Sequence, residues 1–253
     1  AKEESRNVTG YGVRKGLSNN WSRDWNQSAE GCPIFRAAEA YLNYIEASCM
    51  KNGGNSIDGK AQEYWKELRK RAGLPEDYTI TVNATDLSKE NDWAVYSGDN
   101  QVSPLLYNIR RERRCELMEE GFRFNDLKRW RALDRLDGTW QPEGMNFWGY
   151  EVDLVDAYKK SLEYKSVVIN PDGSTTANMS AESRSKYVRP YEFVATSSNL
   201  MYGKGYEWCE AQYLSPISIV HFRNTATNPS DLSTSVIYQN PGWPLVADQP
   251  AEY

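Results

Sequence analysis

The chain has 253 residues, a net charge of −5 and 40% hydrophobic residues, values typical of a globular protein with a substantial core. Its acidic balance disfavours nucleic acid as a partner, because nucleic-acid binding needs a net basic face. No apolar run approaches the roughly 18–20 residues of a membrane helix, and the N-terminal stretch AKEESRNVTGYG lacks the apolar region of a signal peptide. We therefore expect either a cytosolic protein or a chain whose start has been removed.

The first regular pattern predicts a helical hairpin over about 34–72. Apolar residues recur there at spacings of three and four, which place them on one face of each helix. Asp58 is the expected N-cap of the second helix, and Gly53-Gly54 ends the first. The inward positions of the two helices are Ile34, Ala38, Tyr41, Ile45, Cys49, Ala61, Trp65, Leu68 and Ala72. This hairpin resembles a single tetratricopeptide-like unit, which must pack on a further element.

A polar stretch at 75–104 separates the hairpin from a second helical region at about 105–134. The stretch contains one β-prone run, YTITVNAT. The helical region predicts one helix from Ile109 to about Glu120, with Gly121 at its C-terminal end, and a second helix starting near Asn125 or Asp126. From about 137 to 253 the sequence is rich in turn-forming residues and short of long periodicity, so we expect loops and short elements.

The segment ERRCELMEEGFRFNDLKRW at 112–130 admits three interpretations: a nucleic-acid patch, a catalytic carboxylate pair, or a structural lock between two helices. Its acids offset its arginines, which argues against the first. Glu116 and Glu120 share a helix face, but neighbouring guanidinium groups lower carboxyl pKa values and make a poor general acid. Arginine holds a carboxylate through two parallel hydrogen bonds, so a lock in which Arg123 and Asp126 flank the second helix fits best.

The other groups that carry chemistry do not form a known constellation. Cys32, Cys49, Cys115 and Cys209 include no CxxC pair, and a single histidine, His221, leaves too few ligands for a zinc site. Four cysteines allow three disulfide pairings, although isolated buried thiols are favoured for Cys49 and Cys115. The stretch GYGVRKG fails the dinucleotide-binding spacing. We predict no catalytic residue, no metal and no cofactor.

The segment at 112–130, its preceding residues and two further blocks of the sequence resemble the SusD/RagB family of outer-membrane nutrient-binding lipoproteins of Bacteroidetes. The stretch IRRERRCELMEEGFRFNDLKRW is similar to the family's pattern E-R-R-x-E-L-x-x-E-G-x-R-x-x-D-L-x-R-W, which follows an Ile. The matching positions are Ile109, Glu112, Arg113, Arg114, Glu116, Leu117, Glu120, Gly121, Arg123, Asp126, Leu127, Arg129 and Trp130. FRAAEAYLNYIEA at 35–47 and the ordered pieces YLSPISIVHF, NPS and QNPGW resemble two further family blocks, with Ser218 in place of a proline.

The resemblance implies a mainly α, SusD-like fold with tetratricopeptide-like helix pairs and an irregular, loop-rich region. It also implies a non-enzymatic protein on the cell-surface face of the outer membrane. Such a protein binds oligosaccharide, or less often peptide, and delivers it to a SusC-type TonB-dependent transporter. A lipid anchor absent from this chain would make the only membrane attachment, and the chain resembles the C-terminal half of the family. The alternative is a helical-repeat scaffold that binds only proteins.

Candidate ligand-binding residues follow from the chemistry of sugar stacking, not from the family pattern. The chain has nine Trp and 17 Tyr, whose rings pack flat on a sugar face while a polar group stays hydrated. The segment GTWQPEGMNFWGYE at 138–151 places Trp140, Trp148 and Tyr150 in a loop rich in Gly and Pro, and Trp93 follows as a second choice. Trp21 and Trp25 come third. The alternative is that the loop aromatics fold back on the core.

Overall fold

The computed structural model describes residues 13–16, 31, 33–139, 206–246 and 249–252. This part of the chain is mainly helical, as predicted. Its α-helices are α1 (Ala37–Lys51), α2 (Gly59–Arg71), α3 (Tyr78–Ala84), α4 (Pro104–Glu116), α5 (Arg123–Arg129) and α6 (Ile219–Thr225). The strands β1 (Tyr96–Ser97) and β2 (Asn100–Gln101) pair antiparallel. Short 3₁₀ helices lie at Leu87–Lys89, Trp93–Val95, Leu133–Leu136, Glu210–Tyr213 and Leu232–Thr234.

The chain divides into two compact units. The first, which we call the helical unit, is Val13–Ala132, and the second, the C-terminal unit, is Leu133–Tyr253 together with Ala1–Gly12. Helices α1 to α5 and the β-hairpin belong to the helical unit, and α6 belongs to the C-terminal unit. The predicted hairpin and the predicted second helical region therefore share one unit.

The helical hairpin at 34–72 is present as α1 and α2. Asp58 caps α2 as expected, because its carboxylate accepts the backbone N–H of Ala61 at 2.8 Å. Ser48 on α1 donates its hydroxyl to the same carboxylate at 2.7 Å and so ties the two helices together. The cap of α2 is thus shared with α1, which fixes how the hairpin closes.

The buried face of the hairpin differs from the prediction at its ends. Ile34 is 75% exposed because α1 begins only at Ala37, and Ala72 is exposed because α2 ends at Arg71. Leu42 lies in the core instead. The core cluster consists of Ala38, Leu42, Ile45, Cys49, Ile57, Ala61, Trp65, Leu68, Leu106, Ile109 and Leu117.

The β-prone run in the polar stretch forms α3, a correction to the predicted strand-like segment. Asp77 accepts the backbone N–H of Thr79 at 2.9 Å and caps this helix. The Tyr78 ring stacks on Trp65 at 4.3 Å between centroids, and the two planes are 5° apart. The cap and this packing override the strand preference of the β-branched residues, which is a weak and context-dependent term.

The second helical region contains the two predicted helices with shifted boundaries. Helix α4 starts at Pro104, earlier than expected, because Ser103 caps it by accepting the N–H of Leu106. It ends at Glu116, and Gly121, with φ of 80°, lies in the turn that leads to α5. Leu127 and Trp130 are buried on the inner side, as predicted.

The described part of the C-terminal unit combines loops with short helices. Gln239 holds the Ile217 backbone from both sides, with bonds of 2.8 and 3.0 Å to its N–H and its carbonyl. The Trp243 indole donates to the carbonyls of Ala211 and Leu214. The QNPGW block is therefore a clasp around the YLSPIS block. Residues 140–205 lie outside the described part.

Candidate functional site

The signature segment forms a buried ionic network that begins at Asp126. This carboxylate is 4% exposed and accepts Nε of Arg113 at 2.7 Å and Nε of Arg129 at 2.9 Å. Arg113 comes from α4, whereas Asp126 and Arg129 belong to α5. The carboxylate therefore fixes the two signature helices to each other, which is the lock expected from the sequence.

Glu46 brings helix α1 into the same network. Its carboxylate accepts two guanidinium N–H groups of Arg129, at 2.7 and 2.5 Å, and the indole N–H of Trp130 at 2.6 Å. Burial raises the pKa of the Glu46 carboxyl, but the hydrogen bonds from Arg129 outweigh it and hold that pKa below its ordinary value. Glu46 is therefore a charged anchor between the hairpin and α5.

Asp92 holds a second part of the lock, with partners that differ from the expectation. It accepts Arg114 at 2.5 Å and Arg123 at 2.6 Å, and it also caps the short helix at Trp93–Val95. Arg123 and Asp126 lie in the first turn of α5, as expected, but Arg123 donates to Asp92 and Asp126 accepts from Arg113 and Arg129. The spacing of residues in the sequence could not predict the contact between Asp92 and Arg123. The two residues are 31 positions apart and meet only because the segment around Asp92 packs on α4.

The carboxylates of Glu116 and Glu120 converge on Arg36, which lies just before α1. Arg36 donates to Glu116 at 2.7 Å and to Glu120 at 2.6 and 3.0 Å. Burial raises the pKa of Glu116, yet the hydrogen bonds from Arg71 and Arg36 leave it below its ordinary value. The hydrogen bond from Arg36 likewise lowers the pKa of Glu120. Both groups are ionised at neutral pH, so neither suits the role of a general acid.

An open cleft of about 430 Å³ lies where this network meets the β-hairpin of the helical unit. Its walls come from α1, the β1–β2 turn, α4 and the end of α5. The lining residues are Glu46, Met50, Ser97, Gly98, Arg110, Arg129, Trp130 and Arg131. The volume falls in the ordinary range of ligand pockets. The only aromatic ring among these residues, that of Trp130, is 4% exposed.

Arg110 lies at the base of the cleft and is 1% exposed. Its guanidinium donates to the carbonyls of Ala94 and Tyr96 and to the Ser97 hydroxyl at 2.7 Å, and it stacks on the Trp130 ring at 4.4 Å. Its Nε is buried and has no hydrogen-bond partner among the described residues. Burial lowers the pKa of Arg110 to about 10. Arg110 is thus a buried cation held by neutral acceptors.

Arg131 stands at the rim of the cleft in a backbone conformation that favours glycine. Its φ is 56°, and the following N–H groups close the end of α5, with Ala132 donating to the Leu127 carbonyl at 2.9 Å. Helices α1 and α2 end in the same way, with Gly53 and Gly73 at the equivalent position. An arginine there costs backbone energy that a glycine would not.

The structure describes only one of the preferred aromatic candidates. Trp140, Trp148 and Tyr150 lie outside the described residues, as do Trp21 and Trp25. Trp93 is half-buried on its 3₁₀ helix, and the Arg123 guanidinium lies 6.0 Å from the centre of its ring. Trp93 does not line the cleft.

Sequence reasoning missed the cleft because its residues are far apart in the chain. Glu46, Ser97, Arg110 and Arg131 meet only when the hairpin, the β-turn and both signature helices pack together. One signal was present in the sequence: the end of α5, KRWRAL, has no glycine at the position where a helix C-terminus usually has one. The residue at that position is Arg131.

The other reactive groups agree in part with the expectations. Cys49 is a buried free thiol, and burial raises its pKa to about 11. Cys115 is exposed, which corrects the predicted burial, because its side of α4 faces away from the core.

Within the described ranges no group of three or more His, Cys, Asp or Glu residues could hold a metal ion. The helices in those ranges are all too short or too polar to span a bilayer.

Comparison with protein families places residues 1–243 on the model described as the SusD family. Comparison with curated proteins and with solved structures gave no match. The family match covers nearly the whole chain and includes the hairpin, the signature helices and the QNPGW clasp.

Proposed function

The chain belongs to the SusD family, and we propose on that premise that it binds glycan nutrients at the bacterial cell surface. Members of the family are in general non-enzymatic proteins that bind nutrients in association with the outer membrane. The match over residues 1–243 is the observation that carries the proposal. The protein captures an oligosaccharide, or less often a peptide, and releases it unchanged.

The chemistry of the signature segment supports binding without catalysis at that segment. Glu116, Glu120 and Asp126 of this segment accept hydrogen bonds from arginine, and so do Glu46 and Asp92, which bind its arginines. A glycosidase needs one carboxyl group that remains protonated near neutral pH. Carboxylates held by guanidinium groups serve instead as a rigid frame for surfaces outside them.

We further propose that a SusC-type TonB-dependent transporter receives the ligand and that a lipid anchor outside this chain holds the protein at the outer membrane. The SusD family is known to act with such transporters.

The ligand platform proposed within this chain is the segment at 138–151, with Trp140 or Trp148 as the stacking ring and Tyr150 beside it. Trp93 is the alternative, because it is half-buried and one of its faces is near Arg123. The stacking of a pyranose on a tryptophan uses the largest flat side-chain face available.

The experiment is native affinity electrophoresis of the 253-residue chain in gels that contain a panel of polysaccharides, followed by a reducing-end assay. Retardation by a glycan with no release of reducing ends is the expected result. Release of reducing ends would contradict the proposal and indicate a hydrolase. Capture of a transporter from outer-membrane extract without retardation by any glycan would favour the protein-binding scaffold.

A further inference from the structure

The cleft beside Trp130 has the charge and the lining of a site for an acidic group. The network around it contains three guanidinium groups, those of Arg110, Arg113 and Arg129, and two buried carboxylates, Glu46 and Asp126. These five side chains therefore hold one positive charge in excess. The excess lies inside a chain whose net charge is −5.

The excess charge belongs to Arg110. Arg129 meets Glu46 and Asp126, and Arg113 meets Asp126, whereas no carboxylate oxygen in the described part of the chain lies at ion-pair distance from Arg110. Its N–H groups meet neutral oxygens, and Nε has no partner there. A buried cation without a counter-charge is costly, and an anion brought into the cleft would lower that cost.

The cleft is poorly suited to a neutral sugar. The Trp130 ring is covered by the guanidinium groups of Arg110 and Arg129, at 4.4 and 4.9 Å from its centre, so it offers no open face for stacking. Met50, which is 54% exposed, supplies the apolar wall. Recognition in this cleft must therefore come from charge and hydrogen bonds.

Arg131 lies on the solvent-exposed side of the cleft. It is exposed, lines the cleft, and occupies the position where α1 and α2 carry glycine. The Gly98 N–H donates to the carbonyls of Trp130 and Arg131, at 3.2 and 2.9 Å, and thereby fixes the β-turn to the end of α5. The strained backbone at Arg131 is thus held in place.

We propose that this cleft binds the carboxylate of a uronic acid unit in an acidic oligosaccharide, with Arg131 as the contacting residue and Arg110 as the buried counter-charge. The assignment rests on the proposed function and specifies its ligand as an acidic glycan. A volume of about 430 Å³ accommodates one sugar unit, and the open side lets the rest of the chain leave the cleft. Arginine suits this role because its planar fork matches a carboxylate.

The test compares two probes with the same sugar backbone, trigalacturonate and its fully methyl-esterified form, in which each carboxylate is replaced by a neutral ester, by calorimetric titration of the 253-residue chain. Neutral oligosaccharides are titrated first. We expect trigalacturonate to bind at least about tenfold more tightly than the ester, since a charge-assisted hydrogen bond contributes about that factor. The preference should diminish as the salt concentration rises.

The variants are Arg131→Gln and, as a matched control, Arg223→Gln on α6, another exposed arginine whose substitution changes the net charge equally. Arg131→Gln should remove the preference for trigalacturonate, whereas Arg223→Gln should keep it. Arg131→Gly is a second variant that removes the guanidinium and relieves the backbone, so a loss of affinity with an undiminished melting temperature excludes misfolding as its cause.

Each contrary outcome has a separate meaning. Binding of neutral saccharides with equal affinity for the two trigalacturonate forms would overturn the cleft assignment and leave the proposed function in place. Failure of the chain to bind any saccharide would overturn both. Tighter binding of a short N-acetylated peptide through its free C-terminal carboxylate, with the same dependence on Arg131, would overturn the saccharide assignment.

Discussion

The backbone angle at Arg131 is unfavourable for folding, although the proposed binding cleft uses the side chain of this residue. At φ of 56° an arginine is strained, whereas glycine adopts this angle freely. We expect Arg131→Gly to raise the free energy of unfolding by up to about 1 kcal/mol, because relief of strain exceeds the added entropy of the unfolded chain. Urea denaturation monitored by circular dichroism measures it.

Gly73→Ala is the control for this prediction. Gly73 has φ of 70° at the equivalent position of α2, so an alanine there should lower the free energy of unfolding by about 1 kcal/mol. A clear loss of stability in Arg131→Gly would show that the contacts of the arginine side chain stabilise the fold more than its backbone destabilises it.

Trp65 is the largest side chain in the core cluster of the helical unit. It is 1% exposed, and one face is stacked on Tyr78, whereas Tyr41 stacks on Tyr64. The predicted burial is confirmed, and the stacking partner comes from α3 and not from α1. Trp65→Ala should cost roughly 3–5 kcal/mol in thermal or chemical denaturation, the range for a large core aromatic.

Trp65→Phe separates packing from hydrogen bonding. The Trp65 indole N–H is buried without a hydrogen-bond partner in the described part of the chain, so its removal loses no bond. We expect Trp65→Phe to retain most of the stability lost in Trp65→Ala. Equal losses in the two variants would indicate that the indole N–H has a role that the stacking does not explain.

At the scale of elements, Asp126 joins α4 to α5. Removal of a carboxylate that is 4% exposed leaves Arg113 and Arg129 without their shared partner. Asp126→Ala should therefore lower the free energy of unfolding by about 3–5 kcal/mol. As a control, Glu63→Ala removes the exposed ion pair with Lys60 and should cost less than about 1 kcal/mol. Similar losses in both would argue against the lock.

Glu46 makes the junction of α1 and α5 dependent on pH. Its pKa in the folded protein lies below the ordinary value of 4.5, so its contribution to stability is present above that pH and is lost as the pH falls through the folded pKa. We expect the melting temperature to decrease on acidification below about pH 4.5, and to do so less steeply in Glu46→Gln. Parallel curves for the two proteins would contradict this role.

At the scale of the whole molecule, the proposed ligand platform at 138–151 carries the functional prediction. For a glycan that retards the chain in gels, Trp140→Ala or Trp148→Ala should weaken binding by at least about 2 kcal/mol, the loss expected for a stacking anchor. Calorimetric titration measures it, with Trp93→Ala as the comparison. Unchanged affinity in both variants would exclude this segment and direct attention to Trp93 or to Trp21.

The sequence by itself determined the elements whose signals are local. Helical spacing and the capping residue Asp58 predicted the hairpin, and the alternation of acids and arginines predicted a lock between helices. The signature pattern predicted the family. Each of these rests on residues that are close in the chain, where spacing alone determines which side chains share a face.

Only the tertiary structure decided which charges meet. Asp92 pairs with Arg123, and Glu46 reaches Arg129 and Trp130 across more than 80 positions of the chain. The run YTITVNAT became a helix because Asp77 caps it and Trp65 offers a surface for Tyr78. Long-range pairing and burial depend on how the helices pack. The secondary-structure preferences of single residues contribute too little free energy to predict either. The cleft with its uncompensated Arg110 arises from that packing alone.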